Sequence, residues 1–186
     1  MNEQLLHIVT YTGPFGFIKP WTAVRDERTF SQQFLTPSII EGIRIRLGVS
    51  AILRHKLTYA KIDQQQERTQ SRGFAESKKK ATREQSILIR GVMLYPELKL
   101  AFAHVEDALI ACEQHICLCR NEDILLPDNK FESISETDFD NLTGFELLFQ
   151  NEPASILVGY NRYRENEPMY GVLKIVGNPV GAQPFE

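Results

Sequence analysis

The pattern of apolar and polar positions predicts a strand at the start of the chain and a helix soon after it. Residues 4–11 alternate over a short span rich in β-branched side chains, which is typical of a strand. From Thr36 onward, apolar residues recur at helical spacing until Gly48, and Pro37 occupies the first helical position. We therefore expect a helix that begins after Thr36, whose hydroxyl accepts an amide hydrogen bond, and that ends at Gly48.

The rest of the chain contains further strand-like and helix-like patterns, and its last two strands are predicted to form a hairpin. The strand-like segments are residues 51–62, 86–93, 98–105, 155–163 and 170–176, the helix-like segments are 106–112 and 138–149, and residues 123–137 read as an acidic loop.

Residues 63–85 form a long polar excursion with almost no apolar side chain. A segment of this length and polarity inside a compact domain is usually functional or disordered. The order of strand, helix, strand, excursion, strand, helix and strand predicts one α+β domain over residues 1–186. We expect a ferredoxin-like antiparallel sheet, as in RRM domains, with its helices on one face.

The charge is divided unevenly along the chain, although the net charge is only −3. Residues 1–105 contain 16 Lys and Arg against 9 Asp and Glu, whereas residues 106–186 contain 5 against 15. Such a division predicts one surface that meets a polyanion and another that meets water or a basic partner.

Composition predicts a cytoplasmic protein that does not enter a membrane. The sequence contains no run of about 20 apolar residues, and its first residues lack the features of a signal peptide. Three cysteines, an odd number, do not make a disulfide framework, and this agrees with a reducing compartment.

Cations and aromatic side chains occur together in residues 15–34, and ten cations against four acids occur in residues 54–90. Cations neutralise phosphates, and aromatic rings stack on splayed bases, so this combination predicts binding to single-stranded RNA. The candidate RNA-binding residues are Lys19, Trp21, Arg25, Arg28, Arg46, Arg54, Lys56, Arg68, Arg72, Lys78, Lys79, Lys80, Arg83 and Arg90.

Two other kinds of site remain open, but neither has a complete motif. Cys112, His115, Cys117 and Cys119 are potential zinc ligands, yet they lack the usual pair of CxxC knuckles, so reduced, half-buried cysteines are the simpler interpretation. His55, with Lys56 and Tyr59, could serve a metal-independent ribonuclease that needs only a base and a cation. No known catalytic or cofactor-binding motif occurs in the sequence, and we expect neither a cofactor nor a bound metal.

Three segments of the first half carry a family resemblance. The sequences YTGPFGFIKP (residues 11–20) and FLTPSIIEGI (residues 34–43) resemble the start of the small RAMP (repeat-associated mysterious protein) subunits of CRISPR effector complexes, the Cas-five family. The sequence REQSILIRGV (residues 83–92) is similar to the strand that follows the protruding β-hairpin, or thumb, of that family. The polar residues 63–85 lie where the thumb is expected.

The resemblance implies a non-catalytic subunit, present once per complex, that caps the five-prime handle of the guide RNA (crRNA). It also implies protein contacts with the adjacent backbone subunit, of the Cas-seven type, and with the large subunit. The short chain points towards a type IV or a compact type I complex. In some compact relatives this subunit contributes to recognition of target-adjacent DNA, and we keep that contact as an open alternative.

Overall fold

In the computed structural model, the alternating segment at the start of the chain is a central strand of an α+β fold. The structure describes residues 5–23, 27–68, 74–77, 80–83 and 86–181, with the backbone alone for 74–77 and 80–83. Its elements follow one another as β1 (Leu5–Thr12), β2 (Phe15–Gly16), β3 (Arg28–Phe30), α1 (Pro37–Leu47), β4 (Arg54–Thr58), β5 (Lys61–Arg68), β6 (Phe74–Ser77), β7 (Lys80–Arg83), β8 (Ile87–Leu94), β9 (Glu97–Phe102), α2 (Val105–Cys112), β10 (Ile116–Cys117), β11 (Ile124–Pro127), β12 (Glu132–Ser135), α3 (Glu136–Asn141), β13 (Gly144–Leu148), β14 (Ile156–Asn161) and β15 (Glu167–Val176).

The main sheet is antiparallel at each described pairing and joins strands from both halves of the chain. Its order is β10–β11–β1–β9–β4–β13–β15–β14, and β12 pairs with β1 on the same side as β11. The strands β1, β4 and β9 come from the first half, whereas β13 to β15 come from the second. The two halves therefore meet at two places inside the sheet, between β1 and the strands β11 and β12 and between β4 and β13.

The two faces of the sheet are covered differently because the side chains of β1 alternate between them. Val9 and Tyr11 pack with α1 and α2 in the larger hydrophobic cluster, and the Tyr11 hydroxyl donates a 2.8 Å hydrogen bond to a carbonyl of α2. Leu6 and Ile8 pack with Phe139 of α3 in a separate cluster. The expectation of helices on a single face therefore holds for α1 and α2, whereas α3 lies on the other face.

The helix predicted after Thr36 is confirmed, and so is its end at Gly48. Pro37 is the first residue of α1, and Gly48 has the left-handed φ of 72° that a glycine adopts easily. The predicted cap by the Thr36 hydroxyl is wrong, because that oxygen lies 3.2 Å from the Ser38 hydroxyl and caps no amide. The Thr36 carbonyl instead accepts hydrogen bonds from the amides of Ile39 and Ile40.

The polar segment at residues 63–85 contributes to a paired excursion between β4 and β9. β5 pairs antiparallel with β8 from Lys61 opposite Leu94 to Arg68 opposite Ile87, and β6 pairs antiparallel with β7. β2 and β3 pair with β8 as well, β3 in the parallel direction. We call the strands β5 to β8 the arm.

The second half shows where the sequence pattern misleads. The predicted helix over residues 138–149 is wrong, because α3 ends at Asn141 and β13 follows. The predicted acidic loop over residues 123–137 contains β11 and β12. The closing hairpin is confirmed by β14 and β15. In β13, Phe145 and Leu147 are buried on one face and Glu146 on the other, and a buried charge hides the strand alternation from a hydropathy pattern.

No helix in the described ranges combines the length and the apolar character that a membrane crossing requires.

Replacing Gly48 by Ala tests the end of α1. A Cβ at this position would meet nothing within 4 Å, so the cost arises from the left-handed backbone alone. We expect Gly48→Ala to lower the free energy of unfolding by about 1 kcal/mol in urea denaturation. Gly48→Asn should cost less, because Asn tolerates this conformation. Equal costs for the two variants would contradict this explanation.

Candidate nucleic-acid interface

Five of the predicted RNA-binding side chains are exposed in the structure. Lys19 and Trp21 lie in the segment after β2, and Arg28 is at the start of β3. Arg46 lies in the last turn of α1, and Arg68 ends β5 on the arm. These side chains come from four parts of the chain and are exposed to a ligand.

Other predicted positions fall outside what the structure describes. Arg25, Arg72, Lys78 and Lys79 lie outside the described residues, and Lys80 and Arg83 are placed only through the backbone of β7.

Trp21 forms an exposed aromatic pair with a residue from the second half. Its ring meets that of Tyr160 edge to face, with centroids 5.8 Å apart and planes at 83°. Trp21 is 46% exposed and Tyr160 is 53% exposed. Gly159 lets the indole approach β14, since a Cβ there would lie 3.3 Å from the Cβ of Trp21. The pair offers an exposed aromatic surface two residues from Lys19, and bases stack on such surfaces.

Phe30 and Arg28 form a second exposed contact between an aromatic ring and a cation. The guanidinium of Arg28 lies 5.2 Å from the centroid of the Phe30 ring, within the range of a cation–π interaction. The ring rests against Gly91 of β8, where a Cβ would collide with it. Phe30 is nevertheless 48% exposed, so it too is available to a base.

Arg90, on β8 of the arm, is held by contacts with other residues of the protein. Its Nε lies 3.4 Å from a carboxylate oxygen of Glu67, and its Nη1 donates a 3.1 Å hydrogen bond to the hydroxyl of Thr29. The centroid of the buried Phe17 ring lies 5.8 Å from the guanidinium of Arg90 and 5.4 Å from that of Arg120. The predicted RNA contact of Arg90 is therefore replaced by contacts that fix the arm.

Arg54 forms ion pairs with three acids of the second half. Its guanidinium binds Glu146 through Nε and Nη2, binds Asp140 at 2.8 Å, and lies 3.6 Å from Glu136. The hydrogen bond to Glu146 and the neighbouring acids raise the pKa of Arg54. Its side chain is 16% exposed, so the predicted RNA contact of Arg54 is not available in this structure.

Lys56 is more deeply buried, with a side chain that is 1% exposed. Its Nζ lies 3.4 Å from Glu146 Oε2 without forming a hydrogen bond, and 5.6 Å from the centroid of the Phe139 ring. Burial lowers the pKa of Lys56, and Glu146 acts in the opposite direction. The predicted RNA contact of Lys56 is therefore also unavailable, because Phe139 of α3 lies over this sheet face and Glu146 of the neighbouring strand β13 lies beside the ammonium group.

The residues of the ribonuclease hypothesis lie in the core. His55 is 1% exposed, and its Nε2 accepts hydrogen bonds from the amides of Leu35 and Leu147 at 3.4 and 3.3 Å. Tyr59 is also buried, and its hydroxyl accepts a hydrogen bond from Gln33. Because the single lone pair of His55 Nε2 faces two backbone amides and the ring is buried, this geometry gives no support to a base at His55.

The zinc hypothesis finds no support in the described part of the chain, where no three His, Cys, Asp or Glu side chains lie close enough to hold a metal ion. Cys112 packs against the hydrophobic core, and Cys119 is exposed. His115 and Cys117 line a cleft beside α1.

Sequence reasoning missed three exposed side chains in the turn after β14. Arg162, Tyr163 and Arg164 follow one another and lie next to α1, because a Cβ on Gly42 would come within 3.3 Å of the Tyr163 hydroxyl. The sequence feature that could have revealed them is an aromatic residue between two arginines. The acidic balance of the surrounding half concealed it.

No protein-family model matches the sequence, and no curated protein matches it significantly.

Glu146→Gln tests the buried ion pairs. The change leaves Arg54 and Lys56 in place without their shared counter-charge, so we expect the free energy of unfolding to fall by about 3–5 kcal/mol. Urea denaturation at neutral pH measures the loss. Glu41→Gln is the matched control, because it removes a half-exposed pair with Arg44 and should change stability little. A comparable loss in both variants would contradict the importance of burial.

His55 predicts a specific pH dependence of stability. Burial lowers the pKa of His55 to about 4, whereas an unfolded histidine titrates at about 6.5. Between these values the unfolded chain binds a proton that the folded chain does not, so stability should decrease as the pH falls from about 6.5 to 4. His55→Gln retains an acceptor and should lose this part of the pH dependence. The same dependence in both proteins would show that another group causes it.

Proposed function

We propose that the chain is a non-catalytic RNA-binding subunit of a cytoplasmic CRISPR ribonucleoprotein complex. It caps the five-prime handle of the guide RNA and contacts the adjacent Cas-seven-type backbone subunit and the large subunit. The open alternative of a contact with target DNA belongs to the same proposal.

The strand order around β1 supports a RAMP-type sheet. The series β1, α1, β4, β9, α2 and β12 contains four strands. In the sheet, β1 lies between β9 and β12, and β4 lies on the other side of β9. This is the order expected of a ferredoxin-like βαββαβ sheet. RNA-binding domains of the RRM class use the same arrangement.

The observation that carries the proposal is the insertion of the polar arm between β4 and β9, the second and third strands of that series. β5 is polar along most of its length, with exposed Lys61, Gln64 and Arg68. The family resemblance expects a thumb at this place. We propose that the arm is this thumb and that it contacts the backbone subunit.

The distribution of exposed cations supports binding to a polyanion. Lys19, Arg28, Arg46 and Arg68 are exposed, whereas the acids Asp140 and Glu146 are engaged with Arg54. Part of the acidic excess is thus neutralised inside the protein. The exposed cations remain to attract phosphates, and Trp21 and Phe30 offer rings for bases.

Charge reversal at the exposed positions tests this proposal. In the Lys19→Glu, Arg28→Glu and Arg68→Glu triple variant, we expect affinity for single-stranded repeat RNA to fall by more than about ten-fold. The slope of log K against log salt should decrease by about 2, since each phosphate contact contributes about 0.7. Fluorescence anisotropy across a salt series measures both quantities, and RNA-dependent assembly with the backbone subunit is the second readout.

Lys130→Glu is the matched control for Lys19→Glu, because it reverses the charge of an exposed lysine in the acidic half. Trp21→Ala should reduce affinity and leave the salt slope unchanged, since stacking releases no counterion. An unchanged affinity and slope in the triple variant, or equal effects of Lys19→Glu and Lys130→Glu, would overturn the proposal.

A further inference from the structure

A cleft of about 500 Å³ lies beside α1 and is separate from the Trp21 and Phe30 surfaces. We call it the α1 cleft. One wall is α1, where Ile39, Gly42, Ile43 and Arg46 line it at positions i, i+3, i+4 and i+7. The opposite wall comes from the region of β10 and from the turn after β14. A volume of this size is in the range of small-ligand sites.

Gly42 keeps the cleft open next to the turn after β14. A Cβ at this position would lie 3.3 Å from the Tyr163 hydroxyl and 3.5 Å from Nη2 of Arg162. A larger side chain would therefore displace both groups. Within the helix, Gly42 adopts no turn or left-handed conformation that would require a glycine. The close approach of Arg162 and Tyr163 is therefore the reason for a glycine at this position.

The cleft carries positive charge from both halves of the chain, with Arg46 from the first half and Arg162 from the second. Arg46 and Arg162 both line it together with His115, and no carboxylate is found among the described residues of its lining. Two acids close in sequence to lining residues are paired elsewhere, since Glu41 binds Arg44 and Asp123 binds Arg120. Within the described ranges, Arg46 forms no hydrogen bond or ion pair. Such a site attracts an anion.

Arg162 and Tyr163 add a flat surface to this charge. The guanidinium of Arg162 lies 4.9 Å from the centroid of the Tyr163 ring, and its Nη2 donates a 2.9 Å hydrogen bond to the Tyr163 hydroxyl. Unpaired RNA bases stack on aromatic rings and on guanidinium planes. The remaining walls are mostly apolar, with the side chain of Asn121 at the edge for hydrogen bonding.

We infer that the α1 cleft binds one nucleotide of single-stranded RNA. Arg46 and Arg162 hold the phosphate, the base lies against the stacked Arg162 and Tyr163, and the apolar side chains of α1 cover its other side. This inference rests on the proposed function for the identity of its ligand. It adds a specific nucleotide pocket, which the proposed charge-based surface does not require.

In the test, the protein is titrated separately with uridine monophosphate, adenosine monophosphate and inorganic phosphate. Chemical-shift changes in its NMR spectrum report the binding of each. We expect both nucleotides to shift the signals of α1 and of the turn after β14, and to bind at least ten-fold more tightly than phosphate. The Arg46→Ala and Arg162→Ala double variant should lose at least ten-fold in nucleotide affinity. Arg164→Ala is the matched control, because Arg164 is exposed two residues away and does not line the cleft.

Gly42→Leu is a second variant that leaves the charge unchanged and fills the cleft, and it should weaken nucleotide binding to the same extent. Nucleotide affinity unchanged in both variants, or equal binding of nucleotide and inorganic phosphate, would overturn the inference. If the protein binds repeat RNA but no nucleotide binds in the α1 cleft, this inference is wrong and the proposed function stands. Nucleotide binding in the cleft without binding of repeat RNA would remove the proposed function alone.

Discussion

The ion pairs of Arg54 and Lys56 with Glu146 are the interaction on which the rest of the structure depends. They join β4 of the first half to β13 of the second in the middle of the main sheet, with Glu146 and Lys56 both almost fully buried. Asp140 reaches from α3 to the same guanidinium and also binds Lys174 of β15. These two cations hold the pKa of Asp140 at about 2, so its charge persists through ordinary pH. Because buried charges are costly unless they are paired, this network admits few other arrangements of β4, β13 and α3.

The network also shows that the uneven charge along the sequence is partly neutralised in the folded protein. The basic first half and the acidic second half do not form two separate surfaces, since some of their charges neutralise each other inside the sheet. The cations available to a ligand are those that these pairs leave over. Among the described residues they include cations on the segment after β2, on β3, on α1 and on the arm, and the acidic half adds Lys130, Arg162 and Arg164.

Helix α1 connects the two kinds of surface that we propose for RNA. Its buried side, with Ile40, Ile43 and Leu47, packs on the sheet, and its outer side forms a wall of the cleft. Within the arm, Arg90 of β8 pairs with Glu67 of β5 and lies beside the buried ring of Phe17. The fold therefore places the α1 cleft and the polar arm on separate elements.

The elements with local signals could be predicted from the sequence. The alternation at β1, the helix between Thr36 and Gly48 and the closing hairpin depend on neighbouring residues, and all three are confirmed. Which cations are exposed could be read only from the fold. No local sequence signal separates Arg54 and Lys56 from Lys19, and they differ in the residues that pack against them. The strand β13 escaped detection for the same reason, since its buried Glu146 is acceptable only beside partners that lie about 90 residues earlier. Likewise, the cleft between α1 and the turn after β14 joins residues distant in sequence, and only folding brings Arg46 and Arg162 to the same space.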